Sequence, residues 1–168
     1  MSLYKNKFRT ESSRLKDWDY SIPWWYYVTI CTKDMKCWFG EVNKGKMILN
    51  DLGKIAYHIW NETPKHYPAV ELDYSVIMPN HVHGIITINY VETGHAPSLL
   101  QVKGPTLGNI VGSFKSAVSK WAHKNNYNNF HWQSRFYDHI IRNENDLRRI
   151  REYIKNNPLK WELDEYFR

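Results

Sequence analysis

Residues Met78 to Ile88 read MPNHVHGIITI, a strand-like run that opens on two histidines two positions apart. Side chains alternate faces along a β-strand, so His81 and His83 point one way and Val82, Gly84, Ile86 and Ile88 the other. One face is apolar and suited to packing; the other presents two imidazoles able to act as metal ligands or proton carriers. Pro79-Asn80 is a turn signal, which puts the histidines at the mouth of a tight connection where a ligand can reach them.

Working outward, Val70 to Met78 is a second strand-like run, so the pair lies just inside a hairpin whose far strand ends near Asn89. Trp24 to Cys31, WWYYVTIC, is dense in aromatic and β-branched residues and reads as the first strand. From there to Gly45 the chain reads as an irregular connection, with Lys46 to Leu49 as a short strand. At Asp51 the period changes: Leu52, Ile55, Ala56, Ile59 and Trp60 share one helical face, with Asn50 or Asp51 as cap and Pro64 near the end. Residues 91–105 form a Gly- and Pro-containing loop, expected to be mobile. Thr106 caps a second amphipathic helix bearing Leu107, Ile110, Val111, Phe114, Val118 and Trp121. Arg135 to Ile141 is a fourth main strand, and Asn143 caps a third helix that stops at Pro158.

The order predicts an α+β fold: a ferredoxin-like βαββαβ antiparallel sheet with an additional C-terminal helix. Both crossover helices then cover the face carrying Val82, Ile86 and Ile88. The histidines look out from the opposite face, and the extra helix is the candidate to cover them. Its sequence, NENDLRRIREYIKNNP, has a narrow apolar stripe of Leu147, Ile150 and Ile154, with Tyr153 and Asn157 one turn apart beside it. Docked by that stripe, Tyr153 and Asn157 come over His81 and His83. A phenol, two imidazoles and an amide oxygen around one divalent ion suit phosphoryl transfer with tyrosine as nucleophile. Each piece also has a plainer reading: a structural histidine pair, a tyrosine packed at a core edge, an asparagine that only stops a helix. Zinc is a further alternative, although no cysteine or third histidine stands nearby at zinc spacing.

Composition bounds the rest. A single domain over residues 1–168 is expected, with a basic arm at 1–23 carrying Lys5, Lys7, Arg9, Arg14 and Lys16. Lysine and arginine number 23 against 17 acidic residues, a net charge of +6, and 15% of residues are aromatic. This balance fits a surface that meets polyanions and stacks bases, with Trp24, Trp25, Trp38, Trp132 and Tyr137 as candidate platforms. Lys115 and Arg149, the latter on the Tyr153 flank, join the arm as candidate DNA contacts, and the start of the second helix at Gly104 to Asn109 could offer amides to a phosphate. Two cysteines, Cys31 and Cys37, form no disulfide framework, which points to a reducing, cytoplasmic home. No membrane-spanning run or signal-peptide hydrophobic region is visible in the sequence.

His81-Val82-His83 fits the histidine-hydrophobic-histidine motif, and the chain resembles the single-tyrosine HUH transposases, in particular the REP-associated tyrosine transposases. RLKDWDYS, YYVTICTKD, WFGEV, VIMPNHVHGII, TLGNIVGSFKSAVSKW, WQSRFYDHIIRNE and REYIKNNPLKW carry the likeness in family order. The resemblance implies metal-dependent cleavage and rejoining of single-stranded DNA at hairpins of repetitive extragenic palindromes. It implies a transient 5′-phosphotyrosine on Tyr153, and Mg²⁺ or Mn²⁺ held by His81, His83 and Asn157, an asparagine where many insertion-sequence relatives have glutamine. It allows a monomer or a homodimer. The alternative function is a domesticated relative that binds hairpin DNA or RNA without cutting it. A metal-dependent phosphodiesterase acting on small cyclic esters is a third reading; it needs a second histidine motif, which His131 and His139 do not obviously supply.

Overall fold

The computed structural model describes residues 3–4, 7–8, 15, 18–90 and 104–167, with the backbone alone for residues 3–4 and 7–8. β1 (Leu3–Tyr4) and β2 (Lys7–Phe8) pair as a small ribbon. β3 (Trp25–Cys31) is followed by a hairpin of β4 (Gly40–Asn43) and β5 (Lys46–Leu49), then by α1 (Asp51–Asn61) and the single turn α2 (Thr63–His66). β6 (Val70–Ile77) and β7 (His81–Ile88) come next, then α3 (Leu107–Lys124), β8 (Tyr137–Ile140) and α4 (Glu144–Asn156). β3, β6, β7 and β8 form one sheet in the order β6-β7-β3-β8, every pair antiparallel. With α1 and α3 as crossovers this is the expected ferredoxin-like βαββαβ sheet, and α4 is the added helix.

The caps act where their chemistry requires. Asn50 accepts the Gly53 amide, Thr106 and Asn109 form a reciprocal capping box, and Asn143 accepts the Asp146 amide. The connection before Lys46 is more regular than its composition suggests. Lys44 and Gly45 both take positive φ, 50° and 71°, the two-residue turn whose twist suits a hairpin. Lysine is an uncommon residue there, so the turn, and with it β4, is hard to see in sequence. Tyr20, inside the segment read as a basic arm, belongs to the core. It is buried against Tyr26 at 5.8 Å, and its carbonyl accepts the Leu107 amide.

Two apolar layers flank the sheet. On one face Val82, Ile86 and Ile88 meet Leu52, Ala56 and Trp60 of α1 and Ile110, Val111, Phe114 and Val118 of α3. On the other, Leu147, Ile150 and Ile154 of α4 pack on Tyr27, Ile85 and Ile141. The α4 stripe therefore docks on the face that carries the histidines. Among the described residues no helix is long and apolar enough to cross a membrane.

Gly84 shows how tightly the first layer is fitted. A Cβ there would come within 2.2 Å of the Trp60 ring, which is itself buried and edge-on to Phe114 at 5.2 Å. Alanine normally favours a strand over glycine, but the ring has no room to yield. Gly84→Ala is expected to cost about 1–3 kcal/mol, the usual penalty of overpacking. Urea unfolding checks this, and a midpoint at or above wild type would contradict it.

Candidate active site

β7 and β3 are the two central strands, so cross-strand register decides what surrounds the histidines. His81 lies opposite Cys31, His83 opposite Thr29, and Ile85 opposite Tyr27. Tyr27 and Thr29 consequently share the histidine face. His83 Nδ1 sits 2.7 Å from Tyr27 Oη and 3.0 Å from Thr29 Oγ1. His81 Nδ1 sits 2.8 Å from Asn80 Oδ1. The Asn80 amide is oriented by two bonds that its Nδ2 donates, to the Met35 and Tyr166 carbonyls at 3.0 and 2.8 Å. Its oxygen therefore faces the ring, which puts the proton on His81 Nδ1 and the lone pair on Nε2.

Both histidines are 0% exposed. This differs from a pair at an open turn mouth, because α4 and the segment after it close over them. Burial drives the His81 pKa down to about 4 against the pull of Asp164 and Asn157, and drives His83 well below the usual imidazole range. Neutral rings are the form that coordinates metal.

α4 delivers the tyrosine. Tyr153 Oη lies 3.4 Å from His83 Nε2, although the two residues are 70 positions apart in sequence. The same hydroxyl donates to Asp164 Oδ2 at 3.2 Å, and Asn157 Nδ2 donates to that same oxygen. Burial, and then the Asp164 carboxylate, raise the Tyr153 pKa. Asp164 follows a single turn at Trp161–Leu163, and its Oδ1 accepts the Tyr166 amide at 2.8 Å. The Tyr166 ring then lies 4.7 Å from His81 and 5.8 Å from His83.

His81, His83 and Asp164 each offer one ligand atom, all within 4.8 Å of one another. Two buried acceptors there have no hydrogen-bond partner among the described residues: His81 Nε2 and Asn157 Oδ1. Orphaned buried acceptors are costly, and a cation satisfies several converging lone pairs at once. Two imidazole nitrogens with carboxylate and amide oxygens therefore fit a divalent metal. His81, His83, Tyr153 and Asn157 converge as their spacing suggests. Asp164 and Tyr166 had no sequence signal, and Asn80 was read only as a turn residue; Tyr27 and Thr29 were findable by alternation along β3.

A cavity of about 600 Å³ opens beside Tyr153, lined in part by Tyr27, Thr29, Tyr137, Arg149 and Tyr166. A second, of about 290 Å³, lies across the same tyrosine and includes Arg149, Asn157, Lys160 and Asp164. Arg149 thus borders both approaches to the phenol. Lys115 borders neither: its Nζ donates to the Gln133 and Ser134 carbonyls at 2.6 and 3.4 Å and holds the connection into β8. Lys5, Arg9, Arg14 and Lys16 lie outside the described residues, as does the side chain of Lys7 and loop segment 91–103. Trp38 and Trp132 pack against the core, while Trp24 and Tyr137 remain 42% and 47% exposed.

The N-terminal turn of α4 is locked by Asp146, which accepts His139 Nε2 at 2.8 Å and Arg149 Nη2 at 2.7 Å. Burial pushes its pKa up, but the bonds from His139, Arg149 and the Arg142 amide outweigh this and hold it below the usual value. A depressed carboxylate stabilises above the unfolded pKa, ~3.9 for aspartate, and loses that contribution as pH falls through the folded value. Asp146→Asn is expected to cost about 1–2 kcal/mol at neutral pH. Urea unfolding across pH should show wild type and variant converging below ~4, the unperturbed aspartate pKa; a constant gap would mean that charge is not the cause.

No protein-family model matches the chain. An uncharacterized protein of Haemophilus influenzae is 41% identical over 165 residues, covering 93% of this chain and 92% of that one. A second protein of that organism, named "Putative REP-associated tyrosine transposase", is 26% identical over 141 residues, covering 80% and 70%. Among solved structures, a REP-associated tyrosine transposase bound to a REP hairpin matches with a TM-score of 0.55 at 22% identity, covering 89% of this chain and 74% of that one. At that identity the structural match speaks for the fold, and the sequence relatives speak for kinship. The chain belongs to one family with the uncharacterized Haemophilus influenzae protein, and it is related in sequence and in fold to the REP-associated tyrosine transposases.

Proposed function

We propose that this protein cleaves and rejoins single-stranded DNA at hairpin sequences, with Tyr153 as the nucleophile. The observation that carries the reading is the placement of Tyr153 Oη, 3.4 Å from His83 Nε2 and hydrogen-bonded to Asp164, beside the orphaned His81 Nε2 and Asn157 Oδ1. A hairpin substrate is supported by the relative that is bound to a REP hairpin.

His81, His83 and Asp164, with Asn157 Oδ1, would hold the divalent ion, Mg²⁺ or Mn²⁺. When bound, that ion supplies charge neutralisation at the scissile phosphate and favours the phenolate. The chain's own groups do the rest. Asp164 Oδ2 accepts the phenol hydrogen bond and is placed to take its proton. Tyr153 Oη then forms the bond to phosphorus, the P–O3′ bond breaks, and the departing 3′-oxygen takes the proton that Asp164 accepted, leaving a free hydroxyl. The 5′-phosphate stays on the tyrosine, and attack by a 3′-hydroxyl reverses the step and rejoins the strand. Arg149, bordering both cavities, can pair with phosphate oxygens as the strand enters.

The complete burial of both histidines favours a second reading, a protein that holds hairpin DNA without cutting it. The two readings separate in one assay. Hairpin oligonucleotides with unpaired flanks, incubated with Mn²⁺, should give a protein–DNA adduct that survives denaturation. Tight hairpin binding with no adduct under any divalent metal would favour the binder.

A further inference from the structure

A cavity of about 580 Å³ lies at the opposite end of the histidine face, where α4 begins. Its walls include Trp24, Trp25, Asn89, Tyr90, Arg142 and Asn143. The volume is within the range that accommodates a small ligand, and aromatic walls with a few polar groups are the usual makeup of such sites. Trp24 is 42% exposed and Tyr90 80% exposed, so two of the three rings keep faces open to an occupant. Trp24 is nonetheless fixed, because its Nε1 donates to the Ile141 carbonyl at 2.7 Å and Trp18 meets it edge-on at 6.1 Å. Fixed aromatic planes bind planar rings at little entropic cost.

Position says which planar ring. Trp25 lies opposite Thr87, and both share the face of Tyr27, Thr29 and His83. Thr87 is about 13 Å along β7 from His83 at the usual rise per residue. The pocket and the Tyr153 centre thus stand at two ends of one surface. Between them runs β8, an edge strand whose Tyr137 and His139 lie opposite Thr29 and Tyr27 and so share this face. Tyr137 is 47% exposed, and the His139 and Arg149 side chains are 38% and 78% exposed. Arg142, also exposed, follows at the pocket itself. Exposed rings beside guanidinium groups are what holds an unpaired polynucleotide.

We propose that this pocket takes an unpaired nucleobase of the DNA strand that passes Tyr153, stacked among Trp24, Trp25 and Tyr90, with its backbone following β8 past Arg149 to Arg142. The proposal rests on the DNA reading above and adds a second recognition point to it. Asn89, Asn143 and Glu144 stand in the walls with the donors and acceptors that base edges require.

The test measures binding of the full chain to two labelled probes without metal, by fluorescence anisotropy. One is oligo(dT); the other is an all-abasic strand of the same length, which keeps the phosphates and lacks every base. Wild type should bind oligo(dT) roughly ten- to a hundred-fold more tightly than the abasic strand, the range that stacking supplies. Tyr90→Ala and Trp24→Ala should shrink that ratio several-fold each, while Trp24→Phe keeps most of it. Arg142→Gln should weaken both probes alike. The high exposure of Tyr90 makes its variant safe for folding. An unchanged ratio in Tyr90→Ala and Trp24→Ala overturns the pocket, and so does a wild type that binds both probes equally. The covalent-adduct assay, read separately, reports on the nuclease reading, so the failure of one is distinguishable from the failure of the other.

Discussion

Tyr153→Phe is expected to abolish the denaturation-resistant adduct while leaving hairpin binding and folding nearly unchanged. The substitution removes one oxygen. The ring keeps its packing, edge-on to Tyr27 at 6.4 Å and to His83 at 5.2 Å. Asp164 loses one donor but keeps Asn157 and the Tyr166 amide, so its carboxylate stays satisfied. Tyr153 is 41% exposed, which limits any cost to about 1 kcal/mol. Loss of a nucleophile, by contrast, typically costs on the order of 10⁴-fold or more in rate. Denaturing gels for the adduct, native shifts for binding and a thermal melt for folding separate the three quantities. Equal adduct yield from wild type and variant would remove Tyr153 from the role of nucleophile.

What the sequence made legible here is what period alone can carry. Alternation in HVHGIITI assigns His81 and His83 to one face and Val82, Ile86 and Ile88 to the other, and the two core clusters divide along that line. The helical stripe of Leu147, Ile150 and Ile154 predicts which side of α4 docks, and the docking brings Tyr153 and Asn157 with it. Asp164 was out of reach because it follows the last periodic element. Its position depends on how the chain turns after α4, where the Lys160 amide donates to both the Asn156 and Asn157 carbonyls. That turn lays Tyr166 across the histidines, which is why they are buried rather than open. Lys115 misleads for a related reason: charge suggests a phosphate contact, whereas its ammonium group is engaged by backbone carbonyls.

His81→Ala is expected to weaken Mn²⁺ binding by about 100-fold or more, since even changes outside the ligands themselves cost 10–100-fold. In the wild type, metal saturation should raise stability by roughly 2.7 kcal/mol at a hundred times Kd. At the same ion concentration that gain should fall to about 0.4 kcal/mol or less in His81→Ala, which has lost the orphaned Nε2 and keeps only His83, Asp164 and Asn157. Isothermal titration and metal-dependent melting both read this without any DNA or catalysis. The oxygen side of the site can be apportioned in the same way. Asp164 Oδ2 is already engaged by Tyr153 and Asn157, yet it carries the charge; Asn157 Oδ1 is neutral but unpartnered. Charge dominates attraction for a divalent cation in a dry site, so Asp164→Ala should cost more affinity than Asn157→Ala. The reverse order would make the helix amide the principal oxygen ligand and reduce Asp164 to a group that orients it. Titration heats that are identical in wild type and His81→Ala would mean that the two orphaned acceptors do not mark a metal site at all.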